Sequence, residues 1–277
     1  HVRSRRQRQM CIRDSLSGYL EGAAYVVHPP FGKWIIWSGL ELFGADSSFG
    51  WRIATAVLGV LMVPLVILIA RRLIGNNFFA AIAGLFMALE GLSITLARTA
   101  ILDSNLAFFA LLGFYFILLD TQTWSSRLQK TKSSVLRFRP WLLLAGISLG
   151  LATGIKWSGL YFLAVFGLYT FVVDLWQRGR IGIPKILAVG QGALNAITLL
   201  VPALFSYLVT WLGWILGSNG WGRNAKATWY ESLWAYHVNA YSFHTGLDSP
   251  HPYQSNAFGW LISLRPCLLY TSPSPRD

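Results

Sequence analysis

The segment His28-Pro29-Pro30-Phe31-Gly32-Lys33-Trp34 is a short polar island in a chain that is otherwise largely apolar. Two consecutive prolines prevent a helix from running through it and hold the backbone extended. Gly32 leaves room for another group to approach the backbone, while His28 and Lys33 flank the turn with a proton-carrying group and a cation. The segment therefore predicts either a helix break at a membrane surface or one wall of a functional site.

Residues that can carry chemistry recur at the ends of the apolar segments, and the topology derived below places them on one side of a membrane. They are His28, Lys33, Arg52, Glu90, Arg98, Asp103, Lys156, His237, His244, Asp248, His251 and Arg265. Because a charge at mid-membrane costs roughly 2.5–3.5 kcal/mol, the charges within or at the ends of apolar runs should face protein or a watery cavity. Interhelical ion pairing is the alternative, but pairing alone gives no reason to choose one face. A cavity lined by Arg, Lys and His suits an anionic group such as a lipid phosphate, and neighbouring carboxylates can orient the cations or accept a proton.

The composition indicates a polytopic helical membrane protein. Of 277 residues, 54% are hydrophobic and only 12% are charged, against about 25% charge in average soluble domains. The mean hydropathy is +0.48, and the apolar runs are long enough to cross a bilayer. The formal charge of +12 falls mostly in short loops, which indicates the positive-inside distribution and argues against nucleic-acid binding.

The hydropathy pattern predicts a short interfacial or half-buried helix at 33–43, followed by about six spans. The predicted spans are 50–73, 78–96, 101–119, 141–155, 160–176 and 186–216. A loop at 121–140 carries five basic residues and no acid, so it marks the cytoplasmic side. Predicted outer loops cover about 16–49 and 217–259, and the Trp residues from Trp211 to Trp234 suggest an interface belt.

Both ends differ in pattern from the rest of the chain. Residues 1–15 and 267–277 resemble translated sequencing-adaptor read-through, so we predict that they are non-native and that 16–266 form one partial transmembrane domain. Both cysteines, Cys11 and Cys267, lie in these ends. Cysteine usage therefore gives no indication of the redox compartment.

Five short motifs, in order from about Tyr25 to Pro266, resemble the N-terminal half of a bacterial protein O-mannosyltransferase, a C-type glycosyltransferase. The motifs are HPPFGKW at 28–34, GWR at 50–52, ARTAILD at 97–103, GLATGIKWSGL at 150–160 and HPYQS at 251–255. The resemblance implies an all-α C-type transmembrane bundle in a multi-pass plasma-membrane protein whose site faces outside the cytoplasm. It also implies inverting transfer of mannose from polyprenyl-phosphate mannose to Ser or Thr hydroxyls of exported proteins. The implied partners are this lipid-linked donor, secreted acceptor proteins, membrane lipid and the secretion translocon, with no cofactor, metal or nucleic acid.

The resemblance also implies roles for residues at matching positions. Arg98 and Lys156 are expected to hold the donor phosphate, Arg52 and Asp103 to shape the site, and His28 and Lys33 to order the first loop. His251 and Tyr253 complete the predicted substrate-binding set. The family's catalytic base belongs to an Asp-Glu pair upstream of the HPPxGK element, and no residue here is assigned to it, since Asp14 and Glu21 are the only acids before His28. The present sequence alone is therefore expected to be inactive.

Alternative interpretations remain open at this point. A related C-type transferase could act on a lipid or glycan, and a secondary transporter would have discontinuous helices and a site near the membrane midplane. His237, His244 and His251 recur every seventh residue, which would suit a metal on a helix face, but Pro250 and Pro252 interrupt such a helix. Gly150 and Gly154 form a GxxxG motif, which usually permits close helix packing.

Overall fold

The computed structural model describes residues 25–44, 47–131, 138–218, 220–246 and 258. The described residues form helices and no strands. The helices are α1 (Phe31–Phe43), α2 (Gly50–Ile74), α3 (Asn77–Leu89), α4 (Gly91–Arg98), α5 (Leu102–Thr131), α6 (Pro140–Ile155), α7 (Gly159–Arg180), α8 (Lys185–Val209), α9 (Leu212–Leu216) and α10 (Trp229–Gly246). The predicted all-α class is confirmed.

Local sequence explains where several of these helices begin and end. Helix α1 starts directly after the two prolines, with the backbone carbonyl of Pro30 accepting from Lys33 N at 2.9 Å. Helix α2 ends at Gly75, which adopts a left-handed φ of 71° that glycine reaches without steric cost. The Asn76 side chain then caps α3 by accepting from Phe78 N at 2.8 Å. Pro140 opens α6, where its missing N–H removes no helical hydrogen bond.

Four helices are long and apolar enough to cross a membrane: Gly50–Ile74, Leu102–Leu128, Gly159–Arg180 and Ile186–Val209. Helices α3 and α4 together make a fifth span if the pair, bent by 53°, is counted as one. The shorter apolar helix Pro140–Ile155 lies where the remaining span was predicted. The chain is thus a multi-pass membrane protein, and each of the six predicted spans has a helical counterpart.

Helix α6 is the centre of the bundle, and it packs most extensively against α5 and α8. Its residues Leu142, Ala145 and Leu149 are fully buried. A Cβ at Gly146 or at Gly150 would lie 2.2 Å from a backbone oxygen of α8, that of Leu199 or Ala203 respectively. The small residues of α6 therefore permit direct backbone contact between two helices, at Gly146 and Gly150 rather than at the predicted GxxxG pair, whose second member Gly154 packs on the Thr210 side chain.

The two ends of the bundle carry different polar groups. We call the end that contains Asp103 and Lys156 the site end, and the opposite end, where Arg72 of α2 donates to Gln122 of α5 at 2.8 Å, the basic end. Helices α2, α5 and α7 run from the site end to the basic end, whereas α6 and α8 run back. All polar residues of the predicted site that the structure describes lie at the site end.

A buried ion network joins four helices at the basic end. Arg139, 4% exposed, is ion-paired to Asp120 of α5 and, at 3.0 Å, to Asp174 of α7. Asp174 also accepts from Arg178 at 3.0 Å, and Arg178 reaches Gln191 of α8. Both guanidinium groups lie near the ring of Trp124, at 5.3 and 5.2 Å from its centroid. Arg139 and Arg178 are therefore core residues, although the sequence indicated only loop markers.

Three predicted boundaries were wrong. Helix α5 continues to Thr131 beyond the predicted end at 119, because Asp120 is paired with the buried Arg139 and Gln122 bonds to Arg72 of α2. Helix α8 ends at Val209 and the chain turns before the short α9, a break that an unbroken apolar run to 216 did not reveal. The predicted outer loop contains α10, and Trp211 and Trp214 are 2% and 1% exposed, so they belong to a core rather than to an interface belt.

Candidate functional site

The centre of the candidate site is an ion pair between Lys156 and Asp103. Lys156 follows the last residue of α6 in an extended conformation, and Asp103 lies in the first turn of α5, where the helix dipole favours a carboxylate. Lys156 Nζ lies 2.9 Å from Asp103 Oδ1, and the two side chains are 33% and 46% exposed. This pair thus remains accessible to a ligand, unlike the buried pairs at the basic end.

His28 lies beside this pair in the proline-stiffened segment. Burial, together with the positive charges of Lys156, His244 and Lys33, lowers the pKa of His28 to about 4, although the negative charge of Asp103 opposes this shift. His28 is therefore a neutral imidazole at neutral pH, able to donate one hydrogen bond and accept one. The prolines before α1 are buried, and a Cβ at Gly32 would lie 2.5 Å from a side-chain carbon of Leu102, so close packing on α5 fixes the segment.

Aromatic and imidazole rings connect this segment to α10. The rings of His28 and His244 stack at 5.7 Å between centroids. Trp157, the residue after Lys156, lies 6.1 Å from His244 and stacks on His237 at 5.8 Å with an interplanar angle of 23°. The site therefore includes α10, in the region that the sequence predicted to be a loop.

Two tyrosines anchor α10 to the site end. The Tyr236 hydroxyl donates to the carbonyl of Val26 at 2.6 Å and accepts from its N–H at 3.2 Å. The Tyr207 hydroxyl, in the last turns of α8, accepts from Trp157 Nε1 at 3.2 Å and lies 2.6 Å from His237 Nε2. Sequence analysis missed both tyrosines, and the one available signal was their position near the end of an apolar segment, which is common for membrane tyrosines.

Arg52 and Arg98 lie at the site end but apart from the Lys156–Asp103 pair. Arg52, in the first turn of α2, is exposed and stacks on Trp51 at 4.3 Å. Arg98 is exposed in the last turn of α4. Neither guanidinium forms an ion pair with another residue of the described ranges. The tight turn predicted between Arg98 and Asp103 is confirmed, since Ala100 there has a φ of 52°, which is rare for a residue with a side chain.

Glu90, whose role the sequence left open, caps a helix. Its side chain accepts from Leu92 N at 2.9 Å and from Ser93 N, both in the first turn of α4. The bend between α3 and α4 occurs at this residue, so Glu90 satisfies the N–H groups that the break exposes. It has a structural role here.

The remaining predictions concern parts of the chain that are not described, or ligands. His251, Tyr253 and the predicted terminal segments 1–15 and 267–277 lie outside the described residues. Within those residues, no three His, Cys, Asp or Glu side chains are grouped so as to hold a metal ion. The structure brings together His28, Lys33, Asp103 and Lys156, and it places Arg52 and Arg98 at the same end of the bundle.

Comparison with known proteins shows which protein family this chain resembles. The family model for dolichyl-phosphate-mannose-protein mannosyltransferase matches residues 9–216. A polyprenol-phosphate-mannose–protein mannosyltransferase of Corynebacterium glutamicum is 33% identical over 283 residues, covering 91% of this chain and 54% of that protein. The protein of the same name from Mycobacterium tuberculosis is 33% identical over 276 residues, covering 89% of this chain and 53% of its own length. Similarity extends to dolichyl-phosphate-mannose–protein mannosyltransferase 6 of Candida albicans, which is 33% identical over 181 residues and covers 58% of this chain and 22% of that protein.

No solved structure matches the chain. The chain spans about half the length of the bacterial relatives that it matches. The family model nevertheless covers most of the chain, and it includes both partners of the accessible ion pair. The chain belongs to the dolichyl-phosphate-mannose–protein mannosyltransferase family.

Proposed function

We propose that this chain forms the donor-binding part of an enzyme that transfers mannose, with inversion, from polyprenyl-phosphate mannose to Ser or Thr hydroxyls of exported proteins. The acceptors are proteins, as the names of its relatives suggest. The site end faces away from the cytoplasm, because the basic residues Arg71 and Arg72 end α2 at the other side and the positive-inside tendency places such residues in the cytoplasm.

The observation that carries the proposal is the accessible Lys156–Asp103 pair. When a glycosyl phosphate is cleaved, negative charge develops on the departing phosphate, and a fixed ammonium group stabilises it without transferring a proton. A 2.9 Å ion pair with one-third of the lysine side chain exposed holds the ammonium in one place and leaves N–H donors for the ligand. Asp103 thus orients Lys156.

His28 and Lys33 complete the donor side of the site. Because the pKa of His28 is lowered to about 4, its imidazole stays neutral at the pH of most growth media and offers hydrogen bonds to sugar hydroxyls or to phosphate. Lys33 lies close enough to His28 to lower that pKa, and it adds a second positive charge to the same face. We assign Arg98, an exposed cation in the last turn of α4, to the donor phosphate as a further positive charge. A carboxylate base for the acceptor hydroxyl is not assigned to any described residue.

The test uses the protein expressed from its complete reading frame and reconstituted in lipid vesicles. Radiolabelled polyprenyl-phosphate mannose and a Ser/Thr peptide are added on the side of the site end, and mannosylated peptide is quantified. We expect wild-type transfer, an anomeric configuration opposite to that of the donor, and a loss of about 100-fold or more in Lys156→Ala, as for the loss of one transition-state donor.

Arg180→Ala is the matched control, since Arg180 is a cation at the far end of α7 that stacks on Trp176 at 4.7 Å. It should transfer at the wild-type rate. Mannose appearing on a lipid or glycan but never on the peptide would contradict the protein acceptor. Solute flux without transfer would instead establish a transporter.

A further inference from the structure

Three side chains from different elements form one hydrogen-bonded chain next to Lys156. Trp157 Nε1 lies 3.2 Å from the Tyr207 hydroxyl oxygen, and that oxygen lies 2.6 Å from His237 Nε2. At the other side of the imidazole, His237 Nδ1 lies 2.7 Å from the carbonyl of Leu233. Trp157 follows α6, Tyr207 belongs to α8 and His237 belongs to α10, so the chain ties three elements together at the site end.

Donor and acceptor chemistry fixes the direction of every bond in this chain. A carbonyl oxygen only accepts, so His237 Nδ1 carries the proton and donates to Leu233. In a neutral imidazole Nε2 is then the acceptor, and the Tyr207 hydroxyl must donate to it. The indole N–H only donates, so the tyrosine oxygen accepts from Trp157. Burial lowers the pKa of His237, which favours the neutral form that this order requires.

The position of Lys156 depends on its neighbour Trp157, which these hydrogen bonds hold in place. Lys156 has an extended backbone between α6 and α7, and its N–H donates to the carbonyl of Ala152 at 3.2 Å as the last hydrogen bond of α6. Its neighbour Trp157 is held by the hydrogen bond to Tyr207 and by stacking on His237. Close packing also joins the end of α6 to the end of α8, because a Cβ at Gly154 would lie 2.6 Å from the Thr210 side chain.

We propose that Tyr207 and His237 are positioning residues that lock Trp157 and thereby hold the Lys156 ammonium at the site for the donor phosphate. Among the described residues, no hydrogen bond or ion pair joins either side chain to Lys156 or Asp103, so both act through Trp157. The inference rests on the proposed function for its kinetic consequence, whereas the geometric lock exists independently of the reaction. In this proposal, α10 holds the junction between α6 and α7 in place from outside the bundle.

The kinetic test compares conservative variants in the reconstituted full-length protein. Tyr207→Phe removes a single oxygen and with it both hydrogen bonds. We expect kcat for mannosyl transfer to fall about 10-fold with the peptide KM unchanged, because small misplacement of a catalytic group costs this much or more. His237→Gln offers an amide oxygen as acceptor and should keep kcat within about 3-fold of wild type, whereas His237→Phe keeps the ring without the acceptor and should match Tyr207→Phe. Tyr230→Phe removes an exposed hydroxyl from α10 and should change nothing.

A second measurement does not depend on activity. Amide hydrogen exchange over residues 156–161 should accelerate in Tyr207→Phe and stay at the wild-type rate in Tyr230→Phe. Unchanged kcat together with unchanged exchange in Tyr207→Phe would overturn the proposal, and so would an equal loss in His237→Gln and His237→Phe. If the wild-type protein transfers no mannose, the proposed function fails, and the exchange comparison alone decides whether the lock exists.

Discussion

Arg139→Ala is a substitution for which the structure predicts a large loss of stability. Arg139 is 4% exposed and forms ion pairs with two carboxylates from different helices, those of Asp120 and Asp174. Truncation leaves Asp120 without its cationic partner and Asp174 with Arg178 alone, at a depth where water is scarce. Removing one partner of a buried pair typically costs 3–5 kcal/mol, so we expect the free energy of unfolding to fall by about 4 kcal/mol.

The assay is unfolding in mixed micelles by increasing the fraction of SDS, followed by far-UV circular dichroism. Arg139→Lys should lose an intermediate amount, since one ammonium group cannot reproduce the bidentate fork that a guanidinium offers. Arg180→Ala is the control, because Arg180 is an exposed cation that stacks on the ring of Trp176. If Arg139→Ala loses no more stability than Arg180→Ala, the network is hydrated and the assignment of these arginines to the core is wrong.

Three other predictions concern the site, the helix packing and pH. Arg98→Ala should lower mannosyl transfer by about 100-fold while leaving the unfolding curve unchanged, as expected for an exposed cation that acts on the transition state. Gly150→Ala should destabilise the protein by about 1–3 kcal/mol, since its Cβ would lie 2.2 Å from the backbone oxygen of Ala203; SDS unfolding measures this. His28 takes up a proton more readily when unfolded than when folded, because its pKa is lowered from 6.5 to about 4. The free energy of unfolding should therefore fall by about 1–2 kcal/mol as the pH drops from 6.5 to 4, after allowing for solvent screening. Above pH 6.5, His28 should have no effect on stability.

Each of these three predictions has a control variant or a result that would contradict it. Gly179→Ala meets nothing within 4 Å and should leave stability unchanged, so equal effects at the two glycines would contradict the close α6–α8 contact. His28→Gln should flatten the pH dependence between 6.5 and 4, and an unchanged slope would assign the titration to another group. Normal transfer by Arg98→Ala would exclude Arg98 from phosphate binding.

The contrast between Arg139 and Lys156 shows where sequence patterns reach their limit. Both residues are cations at the ends of apolar segments, and hydropathy treats them alike. In the structure Arg139 is buried by two aspartates and a tryptophan, whereas Lys156 keeps one partner and a third of its side chain exposed. Sequence separation does not distinguish the two residues, because Asp120 and Asp174 lie 19 and 35 residues from Arg139 and Asp103 lies 53 residues from Lys156. The difference arises from the number of carboxylates that the tertiary structure brings to each cation and from how deeply each pair is buried.

Helix α10 illustrates the same limit from the other direction. Its sequence mixes aromatic and polar residues and has no long apolar run, so hydropathy predicted a loop. Its inner face is instead buried by specific contacts, such as those of Tyr236 with Val26, 210 residues away. Trp211 and Trp214 were predicted at a membrane interface for the reason that tryptophan is common there, but they pack under this helix with Leu233 and Tyr236.

The sequence by itself determined the membrane class and the approximate spans, and it predicted close packing at the small residues of α6 and a common end of the bundle for His28, Lys33, Asp103 and Lys156. These properties follow from hydropathy, from small residues at helical spacing and from the order of the motifs, all of which act over short stretches of chain. Only the tertiary structure decided which charges are buried, where α5 and α8 end, and that α10 reaches the site through Tyr207 and His237. Those outcomes depend on which side chains meet across the bundle, and the free energy of a buried polar group is set by the partner it finds there.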